Sequence, residues 1–210
     1  MPLIQTSTVL DLEQAKAWLS QQLTAERFEH SLGAMDKAAE LAEKFNLPSI
    51  EKERAVLAGL LHDAAKLMPA SELLNYCDQH QIPLDEMDRK TPQTLHPFVG
   101  AEMAREALAL EEPEILDAIR FHTTGRAGMS RVEKIVYIAD KIEGNTRNPL
   151  YVQKVTSSLD FKNPYSLDFT MLYILDSTIQ FLIEKHQAIH PRTIEARNDF
   201  VLKLRAERQL

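Results

Sequence analysis

At 210 residues the chain has room for one domain with a substantial core and barely room for two. A composition of 44% hydrophobic and 26% charged residues is that of an ordinary globular protein, and six Gly among abundant Ala, Leu, Glu and Lys favour helix. The net charge of −7 excludes a broad basic field for duplex nucleic acid or anionic lipid, so an anionic ligand has to be met by metals or by a few Lys and Arg. The single cysteine, Cys77, excludes an intramolecular disulfide and a Cys-based zinc site. Met1 to Leu10 has neither the basic start nor the apolar run of a signal peptide, and no stretch is long and apolar enough to span a bilayer. A cytoplasmic location is expected.

The periodicity is helical almost throughout, with no strand pattern, so the expected fold class is all-α. Asp11 to Leu23 carries Leu12, Ala15, Trp18, Leu19 and Leu23 on one stripe. A second helix is predicted from Ala25 to Phe45, with Phe28, Leu32, Met35, Ala39 and Ala42 spaced by threes and fours, ended by Asn46-Leu47-Pro48. A third, N-capped by Ser49 and running to about Lys66, is apolar on nearly every face and is expected to be the central buried helix. Ser71 to His80 reads as a short amphipathic helix, followed by a polar loop to Leu95. Pro97 to Ala109 and Pro113 to Phe121 are two further helices, each with Pro near its start. Thr123 to Gly128 is the most glycine-dense segment, after which Ser130 caps a helix through Ile142. Leu150–Leu159, Ser166–His186 and Thr193–Ala206 complete the set. No linker divides the chain; the expectation is an N-terminal helix (1–24) packed on one helical domain (25–200), with a short helical end (201–210).

His62 and Asp63 stand where the third helix demands apolar residues. An unpartnered carboxylate buried there would be costly, and a metal ion is the strongest partner available. For an isolated His-Asp pair a hydrogen-bonded core histidine is the commoner outcome. This pair is not isolated: His30 lies on the preceding helix and Asp140 on a later apolar one. Imidazoles combined with carboxylates suit iron, manganese or zinc better than magnesium or calcium, with iron the expected metal. Lys66, one turn beyond His62-Asp63, and Arg27, one turn before His30, are placed to meet phosphate. His80, His186 and His190 read as surface or capping residues.

The order His30, then His62-Asp63, then Asp140 resembles the ligand pattern of the HD superfamily. His96-Pro97-Phe98-Val99-Gly100-Ala101 and Phe121-His122-Thr123-Thr124-Gly125-Arg126-Ala127-Gly128-Met129 resemble the two additional histidine motifs of the YqeK-type symmetrical bis(5′-nucleosyl)-tetraphosphatases within it. The similarity spans roughly Arg27 to Asn198. It implies a single HD-domain helical bundle and hydrolysis of a nucleotide, most specifically diadenosine tetraphosphate cut to two ADP; another nucleotide phosphohydrolase, or a regulatory module with little turnover, is the alternative. His30, His62, Asp63, Asp140, His96 and His122 are the implied metal ligands. Either two metals are bridged by Asp63, with His96 and His122 facing the second, or one metal is held and those two histidines contact phosphate. Asp63, Lys66, His96 and His122 are the implied catalytic set. Asp63, Ala64, Ala65, Lys66, His96, His122 and Thr123 line the implied nucleotide site, joined by Arg27, Arg126 and Asp140. The stretch Glu143-Gly144-Asn145-Thr146-Arg147 departs from the family's Glu-Pro-Asn-Arg, and Arg147 takes that arginine's place after a one-residue shift. Thr193 and Asn198, in Thr193-Ile194-Glu195-Ala196-Arg197-Asn198, correspond to a C-terminal nucleotide-contacting segment. The other reading of that stretch is a plain amphipathic helix with Ile194 and Val201 on the core. A small-molecule nucleotide is thus the expected partner, without nucleic acid or membrane, and a homodimer is left open.

Overall fold

In this computed structural model, residues 12–144 and 148–209 are described; Met1 to Asp11 and Arg147 lie outside them. Eleven α-helices and one 3-10 turn, with no strand among the described residues, bear out the all-α expectation. The architecture is organised by small residues at two helix crossings. Helix α2 (Ala25–Lys44) crosses α3 (Ser49–Leu61) where Ala34 and Ala38 face Gly59. A Cβ on Gly59 would stand 3.2 Å from the Ala34 carbonyl oxygen and 3.2 Å from the Ala38 Cβ, so the two backbones touch. Residues four apart share a helix face, which puts His30 one turn from Ala34 and aims it at the end of α3.

Contrary to the sequence expectation, α3 stops at Leu61 rather than Lys66, and Pro48, not Ser49, is its N-cap. His62 is its C-cap, and the amides of Ala64, Lys66 and Met68 donate to the carbonyls of Leu61, Asp63 and Ala65 at 3.1, 2.9 and 3.1 Å. This run of tight turns lets consecutive side chains His62 and Asp63 face one point, which a regular helix would hold about 100° apart. After α4 (Ala70–Gln79), the predicted polar loop holds a short helix α5 (Glu86–Lys90), started by an Asp85–Asp88 capping box, and a 3-10 turn at Pro92–Thr94. The second crossing uses α6 (His96–Leu108): a Cβ at Gly100 would lie 3.4 Å from the Ala65 amide, and His96 sits one turn before it.

Helix α7 (Pro113–Arg120) leads through the glycine loop, where Gly125 and Gly128 take φ of 68° and 70°, into α8 (Arg131–Ile142). The predicted Ser130 cap is present and forms a capping box with Glu133. Ten of the twelve residues of α8 are buried, so α8, not α3, is the most enclosed helix; the first turns of α3 face water, with Ile50 52% exposed. Helices α9 (Pro149–Ser157), α10 (Ser166–Glu184) and α11 (Pro191–Ala206) cover the far side. The buried stripe of α11 is Thr193, Ala196, Phe200 and Leu204, not Ile194 and Val201. Helix α1 (Leu12–Leu19) joins the same core through Ala15 and Leu19. Among the described residues no helix is long and apolar enough to cross a membrane.

Two ion-pair clamps fasten the C-terminal helix. Arg192 grips the buried Asp88 with both guanidinium nitrogens, at 2.8 and 2.9 Å, and His190, the buried N-cap of α11, contacts the same carboxylate at 3.0 Å. Asp168 on α10 is held between Lys134 of α8 and Lys203 of α11, both at 2.6 Å.

Because the α2–α3 crossing has no room at Gly59, Gly59→Val should overpack it and cost about 1–3 kcal/mol of stability. Urea unfolding of the metal-stripped protein measures this, and a midpoint equal to the wild type would show that the crossing can open.

Candidate metal centre

Six of the expected ligands arrive at one buried place from five elements. His30 comes from α2, His62 and Asp63 from the turns after α3, His96 from the first turn of α6, His122 from the turn after α7 and Asp140 from the last turn of α8. None of the six is more than 3% exposed. Their contacts divide between the two oxygens of Asp63. On the Oδ2 side, His30 Nε2 lies 3.6 Å away and His62 Nε2 3.7 Å; those nitrogens are 3.2 Å apart, and Asp140 Oδ1 is 3.1 Å from the first and 3.7 Å from the second. On the Oδ1 side, His96 Nε2 is at 3.2 Å, His122 Nε2 at 3.4 Å and the Lys66 ammonium at 3.5 Å, with the two imidazole nitrogens 3.3 Å apart.

The far nitrogen of every ring has an acceptor. His62 Nδ1, His96 Nδ1 and His122 Nδ1 each donate at 2.8 Å to the carbonyl oxygen three residues earlier, of Gly59, Gln93 and Ile119 respectively. His30 Nδ1 donates at 3.0 Å to the carboxylate of Glu143. With its Nδ1 carrying the proton, a neutral imidazole presents a bare lone pair at Nε2. In that form the rings bring lone pairs onto two carboxylates, with nitrogen facing nitrogen at 3.2 Å between His30 and His62 and at 3.3 Å between His96 and His122. Asp63 Oδ1 is itself buried without a hydrogen-bond partner. This donor set repels itself until a cation joins it, which is the behaviour of a metal site, and mixed imidazole–carboxylate donors suit a first-row transition ion.

Charge states follow the same logic. Burial pushes Asp63 up, yet the surrounding positive and polar groups, His62 first, then His122, His96 and the Lys66 ammonium, together hold it well below the usual carboxylate range. Burial drives His122 down to about 3 and lowers His96, despite their contact with Asp63. For His62 burial acts downward too, but Asp63 and Asp140 outweigh it and raise it. His96 and His122 thus stay neutral at pH 7, with lone pairs available.

Among the other expected site residues, Arg27 reaches Asp63 Oδ2 at 3.6 Å, and Lys66 Nζ lies 3.1 Å from His96 Nε2. Ala64 and Ala65 are buried beside Gly100. The Thr123 hydroxyl is 3.1 Å from His122 Nε2, and its carbonyl accepts from the Tyr137 hydroxyl at 3.2 Å. Arg126 is committed elsewhere, to Glu133 at 2.6 Å and Asp117 at 3.3 Å, with its guanidinium over the Phe121 ring. Thr193 is buried at the start of α11, and Asn198 is exposed. Helix α11 abuts the glycine loop, Ala196 against Gly125 and Asp199 Oδ2 accepting from the Gly128 amide at 3.0 Å. His190, read as a surface or capping residue, is a cap but a buried one. With Asp85 and Asp88 it makes a second group of ligand-type side chains, but there the Arg192 guanidinium already supplies the positive charge. Sequence reasoning missed the Glu143–His30 contact and Lys141, whose ammonium lies 2.6 Å from the outer oxygen of Asp140. The available signal was spacing: Glu143 follows Asp140 by three, one turn along the same helix face.

An all-helical domain with a buried, histidine-rich, carboxylate-centred metal site is the class that fold and centre define. The chain belongs to the HD domain family, whose model matches residues 27–145, more than half of it. It is 39% identical over 140 residues to a protein of Bacillus subtilis named bis(5′-nucleosyl)-tetraphosphatase, symmetrical, covering 67% of this chain and 73% of the relative. A protein of the same name from Halalkalibacterium halodurans is 34% identical across 86% of this chain and 92% of its own. The crystal structure of a predicted HD superfamily hydrolase involved in NAD metabolism, from Clostridium acetobutylicum, superposes with a TM-score of 0.82 at 34% identity, over 91% of this chain and 97% of that one.

Asp63 is the one residue shared by both halves of the cluster, so Asp63→Ala should leave the purified protein helical but with less than about a tenth of the wild-type metal, since even the outer partners of a ligand are worth about 10- to 100-fold in affinity. Elemental analysis is the measurement, and full occupancy in the variant would remove Asp63 from the ligand set.

Proposed function

We propose that the chain is a symmetrical bis(5′-nucleosyl)-tetraphosphatase that hydrolyses diadenosine tetraphosphate to two ADP, with iron as its metal and manganese or zinc as alternatives. The observation that carries this reading is the two-sided environment of Asp63, one oxygen facing His30, His62 and Asp140 and the other facing His96 and His122. A metal held there by these side chains would polarise phosphoryl oxygens and lower the pKa of water toward neutrality. The relatives' shared name supplies the substrate, and their coverage of 67% and 86% of the chain supports carrying it over.

This chain's own residues have three tasks. Asp63 holds the two halves of the ligand set in register. His96 and His122, kept neutral by burial and fixed through Nδ1 to backbone carbonyls, offer lone pairs rather than protons, which favours the version in which they hold a second metal over the one in which they donate to phosphate. Lys66 and Arg27, 32% and 39% exposed, stand over Asp63 where the buried cluster meets solvent, placed to pair with the tetraphosphate as charge builds on its bridging oxygen. Thr123 stands beside His122 at the same opening; Thr193 and Asn198 belong to the helix that backs that loop and are proposed contacts of the nucleoside end. A cytoplasmic setting fits a nucleotide substrate.

Diadenosine tetraphosphate incubated with the metal-loaded protein should give ADP alone on chromatography. ATP with AMP would indicate asymmetric cleavage by a different enzyme, and tight binding without turnover would indicate a regulatory module. Lys66→Ala should retain metal while kcat/KM falls by roughly 10- to 150-fold, the equivalent of about 1.5–3 kcal/mol for a charged hydrogen bond. Kinetics within a factor of two of wild type would reduce Lys66 to a surface lysine.

A further inference from the structure

We infer that Glu143 is a positioning residue of the metal centre, which fixes the ring of His30 and makes it a stronger nitrogen donor than His62, His96 or His122. Glu143 caps the C-terminus of α8, is fully buried, and accepts from His30 Nδ1 at 3.0 Å. The three other rings are steered by neutral carbonyls within their own turns. Only His30 among the four meets a carboxylate through Nδ1, and that carboxylate comes from the end of a helix over a hundred residues later in the chain.

The difference has a chemical consequence. An anion at Nδ1–H polarises the imidazole toward imidazolate and raises the electron density at Nε2, whereas a carbonyl mainly orients the ring. Of the ring nitrogens, His30 Nε2 lies nearer Asp140, at 3.1 Å, than His62 Nε2, at 3.7 Å. Asp140 and Glu143 stand one turn apart at the end of α8, so that single turn acts on the centre twice, directly through Asp140 and indirectly through His30. His30 itself sits mid-helix on α2, with no carbonyl three residues back free of the helix ladder, and so cannot steer its own ring as the turn-borne histidines do. The His30–Asp140 half of the cluster is thereby built to bind metal more tightly than the His96–His122 half.

The inference rests on the metal centre proposed above but not on the substrate, and the test reads metal alone. Metal-stripped wild type, Glu143→Gln and Glu143→Ala are titrated with manganese(II), free ion being read by electron paramagnetic resonance. Gln preserves an acceptor for Nδ1–H and removes the charge; Ala removes both. The tighter dissociation constant should rise about 10- to 100-fold in the Gln variant and further in the Ala variant, the usual range for outer partners of a metal-bound histidine. The weaker binding step should not move. If the Ala variant does not fold, as shown by its circular dichroism, the Gln variant decides. Folded variants that bind manganese within a factor of two of wild type overturn the proposal, even where their thermal midpoint has fallen, since that is what a merely structural glutamate would give. Wild type that takes up no manganese, zinc or iron overturns the metal centre and this inference with it.

Discussion

Mutual repulsion among donor atoms is the constraint on which the centre depends. Four imidazoles and two carboxylates are packed so that each lies 3.1–3.7 Å from its neighbours in the cluster, all of them buried. Nothing in the cluster's own chemistry keeps it together. The surrounding helices do, by making the polar groups' positions a by-product of apolar packing. Gly59 against Ala34 and Ala38 brings α2 and α3 so close that His30 and His62 meet, and Gly100 against Ala64 and Ala65 does the same for His96. Helix packing energy is thereby turned into strain relieved by a cation, which is how a folded protein acquires metal affinity before any metal arrives.

The division of labour among the helices follows. Helix α8 is enclosed almost on every side, and its far end carries Asp140 and Glu143. A side chain on such a helix moves only if the core moves, which suits a ligand. The groups at the rim, Lys66 and Arg27, have long stems, are about one-third exposed and can follow a substrate. Rigid parts carry the proposed metal ligands, and adaptable parts carry the proposed phosphate contacts.

Much of this was legible in the residue order, because ionisable groups inside apolar stripes have few physical explanations. His62-Asp63, His30 and Asp140 stood out for that reason, and the two further histidines were recognisable through the motifs around them. Helix positions also read well, down to the Ser130 cap. Three things did not. The end of α3 was placed at about Lys66, whereas the helix stops at Leu61 and a run of tight turns brings His62 and Asp63 to face one point. Helix α5 was read as loop, since its five residues are polar and its stability comes from a capping box and the distant Arg192. Arg126 lay inside a recognisable motif, but its partners Asp117 and Glu133 are set by tertiary packing that no local pattern reveals.

The Asp88–Arg192 grip joins residues 104 positions apart, and α11 in turn braces the loop that follows His122. Contacts so distant along the chain form late in folding, because the entropy of closing a long loop must be overcome first. A chain growing from the ribosome makes His30, His62 and Asp63 well before Asp140, and has to wait for the final helix before the glycine loop is braced. Completion of the cluster is therefore bound up with the order of synthesis: its Asp140 side closes only when the last turns of α8 have been made, and the glycine loop beside His122 is braced only when α11 docks.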